Sequence, residues 1–555
     1  MTDDSAAPDM WSRGQCLQAA TIAGALLALA LCANLVLAWA SPLTFDDAYM
    51  FHRYALNLRS GLGLAWNPDG APTYGLTSQL WLLFFLPFSY LPISPAAALQ
   101  LASWLTGVGG LVVMGATVVR HGQPRPLAGA LAAGALVLVA ITPSFAFHLT
   151  TGMDTMLSLL ANAALVMALL EYRNAPSNRR ASLVGVLAFC AILARPDNGP
   201  CAFGAPFLTW LLVSEDRRFT RLLGLCALPA LLVTVTAAAS FLYFGTALPL
   251  SFYAKSGHGY AGFINGENPV RYMLEAATVF VPFLALLLAA RAGWPGRLAP
   301  ALLIPVIATF AYLWTVRQVM GFEGRYYIPF LPFLTAPALL AAVKALAERG
   351  PALRRRMIIT PAAALLLLVA IQPAQRSAEA AYLAHSLPDP TPAPRLEVAA
   401  PEPLPQIPWF AAIRTVGDVA AGLPAGARVA ASEVGYIGSA APEATVIDLV
   451  GLNDTRIGMT GFTMDDLMAR APDLIWFPHH DYTGLRALIL SDVRLLRDYV
   501  VVRDAFNYGV AIRRRSPIRP QVEAAVKTAW TARYPGLDMC DFTVAAPELR
   551  AAETC

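Results

Sequence analysis

Long apolar runs set the main constraint on this chain, because about 20 apolar residues in a helix cross the roughly 30 Å hydrocarbon core of a bilayer. The first run, residues 17–40, contains no charged residue. It lacks the cleavage site that would follow the short apolar core of a signal peptide, so we interpret it as a retained anchor. Of all residues, 57% are hydrophobic and 14% charged, and the mean hydropathy is +0.54. The sequence therefore predicts an α-helical polytopic membrane protein.

Short basic loops separate the apolar runs, and such loops stay on the cytoplasmic side of a membrane. They lie at residues 120–125, 171–180, 215–221, 291–297 and 349–356. We place the aromatic-rich residues 76–91 at the interface, because a span there would put the loop at residue 120 on the wrong side. This leaves about eleven transmembrane helices, with twelve as the alternative. The predicted spans are residues 17–40, 97–119, 126–142, 149–170, 181–195, 200–214, 221–243, 271–290, 298–316, 326–346 and 357–372.

Two adjacent carboxylates, Asp46 and Asp47, follow the first span on its outer side. Like charges repel, so the pKa of at least one carboxylate is expected to rise and make it a better proton acceptor near neutral pH. The alternative is a solvated loop with an aspartate at a helix cap. Asp46, Met50, Arg53 and Asn57 have helical spacing, which predicts a helix with polar groups along one face.

Acidic and basic residues recur in the loops that this topology places outside. A single such residue is explained by a side chain that reaches the membrane interface. Several charges beside a membrane are costly unless they are paired or serve a function. We therefore expect the outer loops to form one site. Its candidate residues are Asp46, Asp47, Arg53, Asp154, Arg195, Asp197, Lys255, His258, Glu323, Arg325 and Tyr326.

The region after the last predicted span has a different character. Residues 1–372 are predicted as the transmembrane domain, the proline-rich residues 373–408 as a linker, and residues 409–555 as an extracytoplasmic soluble domain. Segments 427–437, 444–450, 473–477 and 499–513 are typical of strands and 463–470 of a helix, which predicts a mixed α/β or β-rich fold. Cys540 and Cys555 are expected to form a disulfide worth about 3 kcal/mol outside the cytoplasm.

Aromatic and imidazole side chains in this domain are candidates to contact the sugars of an acceptor glycan. They are Trp409, Trp476, Phe477, His479, His480 and Tyr482.

Several motifs occur in an order that is more specific than any one of them. The first outer loop reads DDAYMFHRYALNLRSGLGLAWNP over residues 46–68. It is followed by GMDT at 152–155, RPD at 195–197, GRYYIP at 324–329 and IDLVGLND at 447–454. This series resembles the GT-C polytopic membrane glycosyltransferases similar to the terminal arabinofuranosyltransferase of the mycobacterial cell wall.

The resemblance implies a GT-C fold and an inverting glycosyltransferase of the EC 2.4 class. Such an enzyme moves arabinofuranose or another monosaccharide from a polyprenyl-phosphate donor to a cell-envelope glycan or glycoconjugate. It implies a multi-pass protein of the bacterial inner membrane that acts on the outer face of the bilayer, with the C-terminal domain outside the cytoplasm.

The resemblance also assigns roles. Asp46 or Asp47 is implied as the general base, and Arg195 and Arg325 as donor-phosphate ligands in matching motifs. Lys255 and His258 are further phosphate-binding candidates outside the motifs. Asp197 and Tyr326 are candidates to orient the cations. Met153 and Asp154 depart from the family's Gly-Leu-Glu-Thr pattern, which leaves the sugar and the acceptor open.

The sequence requires no cofactor. A divalent cation at Asp46 and Asp47 is compatible with hard oxygen ligands but not required. The net charge of +4 argues neither for nor against nucleic acid, and because no basic block with interleaved aromatic residues is present, no nucleic-acid partner is expected. Two alternatives remain, a lipid-linked glycan ligase or polymerase and a transporter or flippase; no internal repeat supports transport.

Overall fold

The described part of the chain divides into two compact units. The computed structural model describes residues 13–40, 43, 45–215, 217–256, 269–290, 296–315, 318, 320–348 and 404–544. The first unit consists of the described residues within Met1–Leu43, Gln100–Thr234 and Glu267–Ala381. The second consists of those within Thr44–Leu99, Val235–Gly266 and Tyr382–Cys555. The predicted first outer loop therefore belongs to the same unit as the described C-terminal residues.

Long apolar helices dominate the chain. Among the described residues, seven helices have the length and composition needed to cross a membrane, and each overlaps a predicted span. They are Arg13–Ala40, Pro95–His121, Thr155–Asn174, Phe219–Phe244, Arg271–Ala289, Leu298–Thr315 and Phe322–Glu348. The protein is thus largely helical, with several apolar helices compatible with a multi-pass membrane protein.

The remaining predicted spans are shorter or lie outside the described residues. Arg125–Ile141 and Asn178–Ala194 are helices of 17 residues each. Gly199–Leu208 is a helix that continues as a π-helical turn over Thr209–Val213. Gln79–Tyr90 is a short apolar helix, as expected for a segment that does not span. Residues 357–372 and most of the predicted linker lie outside the described residues.

Small side chains let the helices of the first unit approach closely. A Cβ added to Gly185, in the helix Asn178–Ala194, would lie 2.1 Å from the carbonyl oxygen of Gly224 in a neighbouring π-helical turn. Polar side chains also join helices: Trp104 donates from Nε1 to the carbonyl of Leu31 at 3.0 Å. Other elements here are Pro143–His148, Pro196–Asn198, Phe219–Leu222, Leu223–Ala227, Leu228–Phe244, Pro269–Ala289, Phe322–Gly324, Ile328–Phe330 and Leu331–Glu348.

A six-stranded mixed sheet forms the core of the second unit. Its strands are β1 Arg428–Ala431, β2 Thr445–Asp448, β3 Leu474–Trp476, β4 Tyr499–Val502, β5 Val510–Arg513 and β6 Thr543–Val544. The order in the sheet is β2-β1-β3-β5-β4-β6. Strand β1 pairs in parallel with β2 and β3, and the other pairs are antiparallel. The carboxyl ends of β1, β2 and β3 therefore share one edge of the sheet.

Helices surround this sheet, and most predicted elements are present. The predicted helix at 463–470 is Met464–Arg470, whose N-cap Thr463 accepts from the Asp466 N–H. The predicted strand 427–437 was too long, because Gly435–Ala440 is a helix. The helical elements of the unit are Asp46–Arg59, Gln79–Phe85, Leu86–Tyr90, Leu250–Ser256, Trp409–Ala421, Gly435–Ala440, Thr455–Thr460, Met464–Arg470, Thr483–Leu490, Val493–Asp498, Ala505–Asn507, Arg519–Arg533 and Met539–Phe542.

The segment after the first apolar helix is built into this domain. The Asn67 side chain accepts from the Val446 N–H at 2.8 Å and donates to the Val446 carbonyl at 3.2 Å. Trp66 donates from its indole to the same carbonyl at 3.1 Å. Because Val446 lies on the edge strand β2, these bonds cover backbone groups that would otherwise be unpaired.

Candidate functional site

The predicted helix over the acidic pair is present as Asp46–Arg59, called here the Asp46 helix. The Asp46 carboxylate is 2% exposed and accepts two backbone N–H groups, from Gly435 at 2.9 Å and Tyr436 at 2.8 Å. These residues begin the helix Gly435–Ala440, called here the Gly435 helix. A Cβ at Gly435 would lie 2.0 Å from the Asp46 carbonyl oxygen, so only glycine fits this contact.

Arg53 holds the other end of the Gly435 helix. Its side chain is fully buried and donates four hydrogen bonds, all to backbone carbonyls. The acceptors are Trp66 at 2.8 Å, Gly438 at 2.8 Å, Ala441 at 2.7 Å and Ala444 at 2.9 Å. Predicted as a supporting site residue, Arg53 fixes the Gly435 helix on the Asp46 helix.

Burial and neighbouring carboxylates change the acidity of Asp46. Its pKa rises from 3.8 to about 7, chiefly because the side chain is buried. The two backbone N–H bonds lower the pKa, and the charges of Asp47 and Asp448 raise it. The pKa of Asp448 rises to about 6, also chiefly through burial. The predicted rise in pKa is therefore present at Asp46, but burial rather than charge repulsion is its main cause.

Glu433 is a carboxylate of this site that the sequence reasoning missed. Burial raises its pKa well above 4.5, and Asp46, Asp47, Asp448 and Asp481 raise it further. Glu433 is the second residue after β1, and Asp448 is the last residue of β2. A strand assignment that ended at residue 431 would have placed both at the carboxyl edge of the sheet.

The strand order makes this edge of the sheet a candidate ligand-binding position. The connection after β1 leads to β2 on one side and the connection after β3 leads to β4 on the other, so the carboxyl ends of β1 and β3 form the switch point of the sheet. Ligands of open α/β sheets bind at such switch points. The loops after the two strands meet there, because the His479 N–H donates to the Ser432 hydroxyl at 3.2 Å.

The residues after β3 add an imidazole pair to the edge. His479 Nδ1 lies 2.9 Å from Asp481 Oδ2, and the His479 and Tyr508 ring centroids are 4.9 Å apart. His480 is exposed. Trp476, Phe477 and Tyr482, predicted as sugar-contacting faces, are instead buried in the domain, and Trp409 is half-buried.

The first unit holds the second cluster of predicted residues. Arg195 makes a two-point contact with Asp197, with nitrogen-to-oxygen distances of 3.0 and 2.7 Å, and also reaches Asp154 Oδ1 at 3.1 Å. Arg325 contacts the same Asp154 oxygen at 3.5 Å. The Tyr326 ring lies 4.9 Å from the Arg195 guanidinium carbon and 5.8 Å from that of Arg325. Five predicted residues thus form one buried network of two cations and two anions on an aromatic face.

A tight turn presents Arg325 in this network. Glu323 has a left-handed backbone, with φ 53° and ψ 32°, and Gly324 follows with φ 70°. Ser144 and His148, from the helix Pro143–His148, bind Glu323 at its carboxylate and at its carbonyl. The predicted supporting role of Glu323 is therefore local to this turn.

The other two predicted phosphate ligands are not among the described residues of the first unit. Lys255 is exposed in the last turn of Leu250–Ser256, in the second unit. His258 lies outside the described residues. Asp46, Asp47 and Arg53 also belong to the second unit, whereas Arg195 and Arg325 belong to the first.

Metal and disulfide expectations have separate outcomes. Within the described ranges, no group of three or more histidine, cysteine, aspartate or glutamate side chains is arranged to hold a metal ion. Cys540 is disulfide-bonded. Cys555, its predicted partner, lies outside the described residues.

Fold and site together define a largely helical chain of membrane-type architecture that carries a mixed α/β domain. A family model described as a domain of unknown function, DUF8728, matches residues 409–527 of that domain. No curated protein matches the chain significantly.

Proposed function

We propose that the chain is a GT-C-like membrane glycosyltransferase with about eleven spans. In this proposal it transfers a monosaccharide from a polyprenyl-phosphate donor to a cell-envelope glycan on the outer face of the inner membrane. The observation that carries the proposal is the carboxylate cluster around Asp46 and Asp47, completed by Glu433 and Asp448 at the switch point of the sheet. Burial and neighbouring charges in this cluster raise the pKa of Asp46 to about 7 and that of Asp448 to about 6, so a carboxylate here can take a proton near neutral pH.

Asp47 is the better candidate for the base. Both carboxylate oxygens of Asp46 accept backbone N–H groups of the Gly435 helix, so Asp46 is committed to holding the two helices together. Asp47 is half-buried and lies close enough to Asp46 and Glu433 to raise both of their pKa values. Asp47 therefore lies within the carboxylate cluster, and we assign it the general-base role.

The arginine network supports a phosphate-binding role. Arg195 is held on two sides by Asp197 and Asp154, and Arg325 contacts the same Asp154 oxygen at 3.5 Å. The two guanidinium groups meet at one carboxylate, so a phosphate bound there can contact both. A bidentate guanidinium matches phosphate geometry and stabilises the charge that develops on a leaving phosphate.

The proposed reaction is a single displacement. The acceptor hydroxyl gives its proton to the Asp47 carboxylate as its oxygen attacks the anomeric carbon from the face opposite the phosphate. The bond from that carbon to the phosphate oxygen breaks, and polyprenyl phosphate leaves with the electron pair. Inversion follows from attack at the opposite face.

Sugar transfer by the purified full chain in liposomes tests this proposal, with polyprenyl-phosphoryl pentose as donor and an envelope glycan as acceptor. Asp47→Asn should lower kcat about 100-fold or more, because amide cannot accept the proton, while donor binding stays nearly unchanged. Asp69→Asn is the matched control, an exposed aspartate in a turn of the same segment.

The outcomes separate the alternatives. Equal kcat for wild type and a folded Asp47→Asn variant would show that the base assignment is wrong. Transfer of whole glycans but not of single sugars would point to a ligase or polymerase. Donor movement across the bilayer without transfer would point to a flippase.

A further inference from the structure

We propose that His148 is a positioning residue for Arg325: through one hydrogen bond to the turn before it, His148 sets the guanidinium that binds the donor phosphate. The inference rests on the proposed function for the identity of the ligand. Its structural basis is the contact between the helix Pro143–His148 and the turn Phe322–Gly324.

The turn needs an external restraint. A residue other than glycine in the left-handed region costs roughly 1–2 kcal/mol, and Glu323 is such a residue. Two side chains hold it there. The Ser144 hydroxyl donates to Glu323 Oε2 at 2.8 Å, and His148 Nε2–H donates to the Glu323 carbonyl at 3.0 Å.

Histidine has the right chemistry for this contact. A carbonyl can only accept, so the His148 proton lies on Nε2. The imidazole is fully buried, and burial together with the charges of Arg325 and Arg195 lowers its pKa to about 3. It is therefore a neutral donor at physiological pH, and it adds no positive charge beside the two arginines.

The position of His148 is itself fixed. Its own carbonyl accepts from the Ser103 hydroxyl at 3.1 Å. A Cβ at Gly324 would lie 2.7 Å from the Cβ of Ala276, so the turn is also packed against the helix Pro269–Ala289. Arg325 directly follows this turn. A displacement of the turn would pass to the guanidinium, and about 1 Å is enough to weaken a binding or catalytic geometry strongly.

Two substitutions separate the hydrogen bond from the volume of the side chain. His148→Leu removes the donor, and His148→Gln keeps an N–H close to the Nε2 position. We expect His148→Leu to raise the donor KM about 10-fold or more, since one buried hydrogen bond is worth about 1.4 kcal/mol or more. His148→Gln should restore the donor KM to within about 3-fold of wild type, and the acceptor KM should not change in either variant.

A matched control and a second variant keep the test decisive. His121→Leu replaces another histidine of the first unit, which contacts Asn174 and Glu171, and should leave the donor KM unchanged. If His148→Leu does not fold, Ser144→Ala removes the other restraint on Glu323 and should raise the donor KM in the same direction.

A binding readout separates this inference from the proposed reaction. The probe is polyprenyl phosphate, and the measurement is the rise in Tm that it causes in the full chain. A rise for wild type and His148→Gln but not for His148→Leu, without sugar transfer, would support the inference and refute the reaction. Equal rises for all three, with loss only in Arg325→Gln, would overturn the inference. No rise in wild type would overturn both.

Discussion

Arg53→Met should destabilise the second unit more than any other single change on the Asp46 helix. Methionine matches most of the apolar length of arginine but has no N–H group. Four buried carbonyls, at Trp66, Gly438, Ala441 and Ala444, would each lose a donor, although Trp66 keeps a bond from the Asn57 amide. Three of them lie within or just after the Gly435 helix, so its C-terminal end would lose these bonds to the Asp46 helix and keep the contact of Ser439 with His52.

The magnitude follows from two opposing contributions. At about 1.5 kcal/mol for each hydrogen bond to a charged group, the four bonds contribute about 6 kcal/mol. Burial lowers the pKa of Arg53 from 12.5 to about 10, and at about 1.4 kcal/mol per pKa unit this desolvation costs about 3.5 kcal/mol. The substitution removes both contributions, and we expect a net loss of about 2.5 kcal/mol in the free energy of unfolding.

Thermal unfolding of the full chain in detergent, followed by tryptophan fluorescence, measures this loss. Trp66 is a local probe, since the Arg53 guanidinium carbon lies 5.6 Å from its ring centroid. For a unit of this size, about 2.5 kcal/mol corresponds to a fall of about 5–10 °C in Tm. Arg59→Met is the control, an exposed arginine of the same helix that donates to the Ser89 carbonyl and lies over the Tyr90 ring, and it should change stability by about 1 kcal/mol at most. An Arg53→Met variant as stable as Arg59→Met would refute the reasoning.

Two further predictions concern the same pair of helices. Because the folded pKa of Asp46 is raised from 3.8 to about 7, its stabilising effect is fully present below about pH 4 and is lost as pH rises to about 7. The Tm of wild type should therefore fall across this range, and Asp46→Asn should flatten that fall; an unchanged slope would contradict the assignment. Gly435→Ala should cost about 1–3 kcal/mol, since the new Cβ meets the Asp46 carbonyl, whereas Gly422→Ala makes only ordinary contacts and should be near neutral in the same melts.

Hydrophobic length and periodicity were enough to predict much of the fold. Seven predicted spans correspond to long apolar helices, because apolar runs of this length have few other stable structures. The helix over Asp46 to Asn57 was predicted from spacing alone. The strand predicted at 427–437 was wrong beyond residue 431, because side chains of the Asp46 helix bind both ends of the Gly435 helix. Local secondary-structure propensity cannot predict an effect of contacts between residues so far apart in sequence.

The site was predictable where its residues are close in sequence or fall in recognisable motifs. Arg195 and Asp197 are two residues apart, and their contact is local. Asp154 and Arg325 join them only because three loops of the first unit meet, and here the shared motif order was the useful signal. Glu433 was missed because a single glutamate after a short strand has no spacing pattern; its meaning depends on the strand order β2-β1-β3.

The sequence left Asp46 and Asp47 equivalent, and the structure gives a physical reason to separate them. Adjacent residues on a helix point about 100° apart, so one of two neighbouring carboxylates can bind a second element while the other remains at the site. Asp46 binds the start of the Gly435 helix, whereas Asp47 lies close enough to Glu433 to raise its pKa. Asp46→Asn should therefore reduce stability first and activity second, because its amide NH₂ replaces one of the two acceptor oxygens, whereas Asp47→Asn should do the reverse. The acidic pair is explained best as one structural and one chemical carboxylate, which accounts for two like charges being placed side by side.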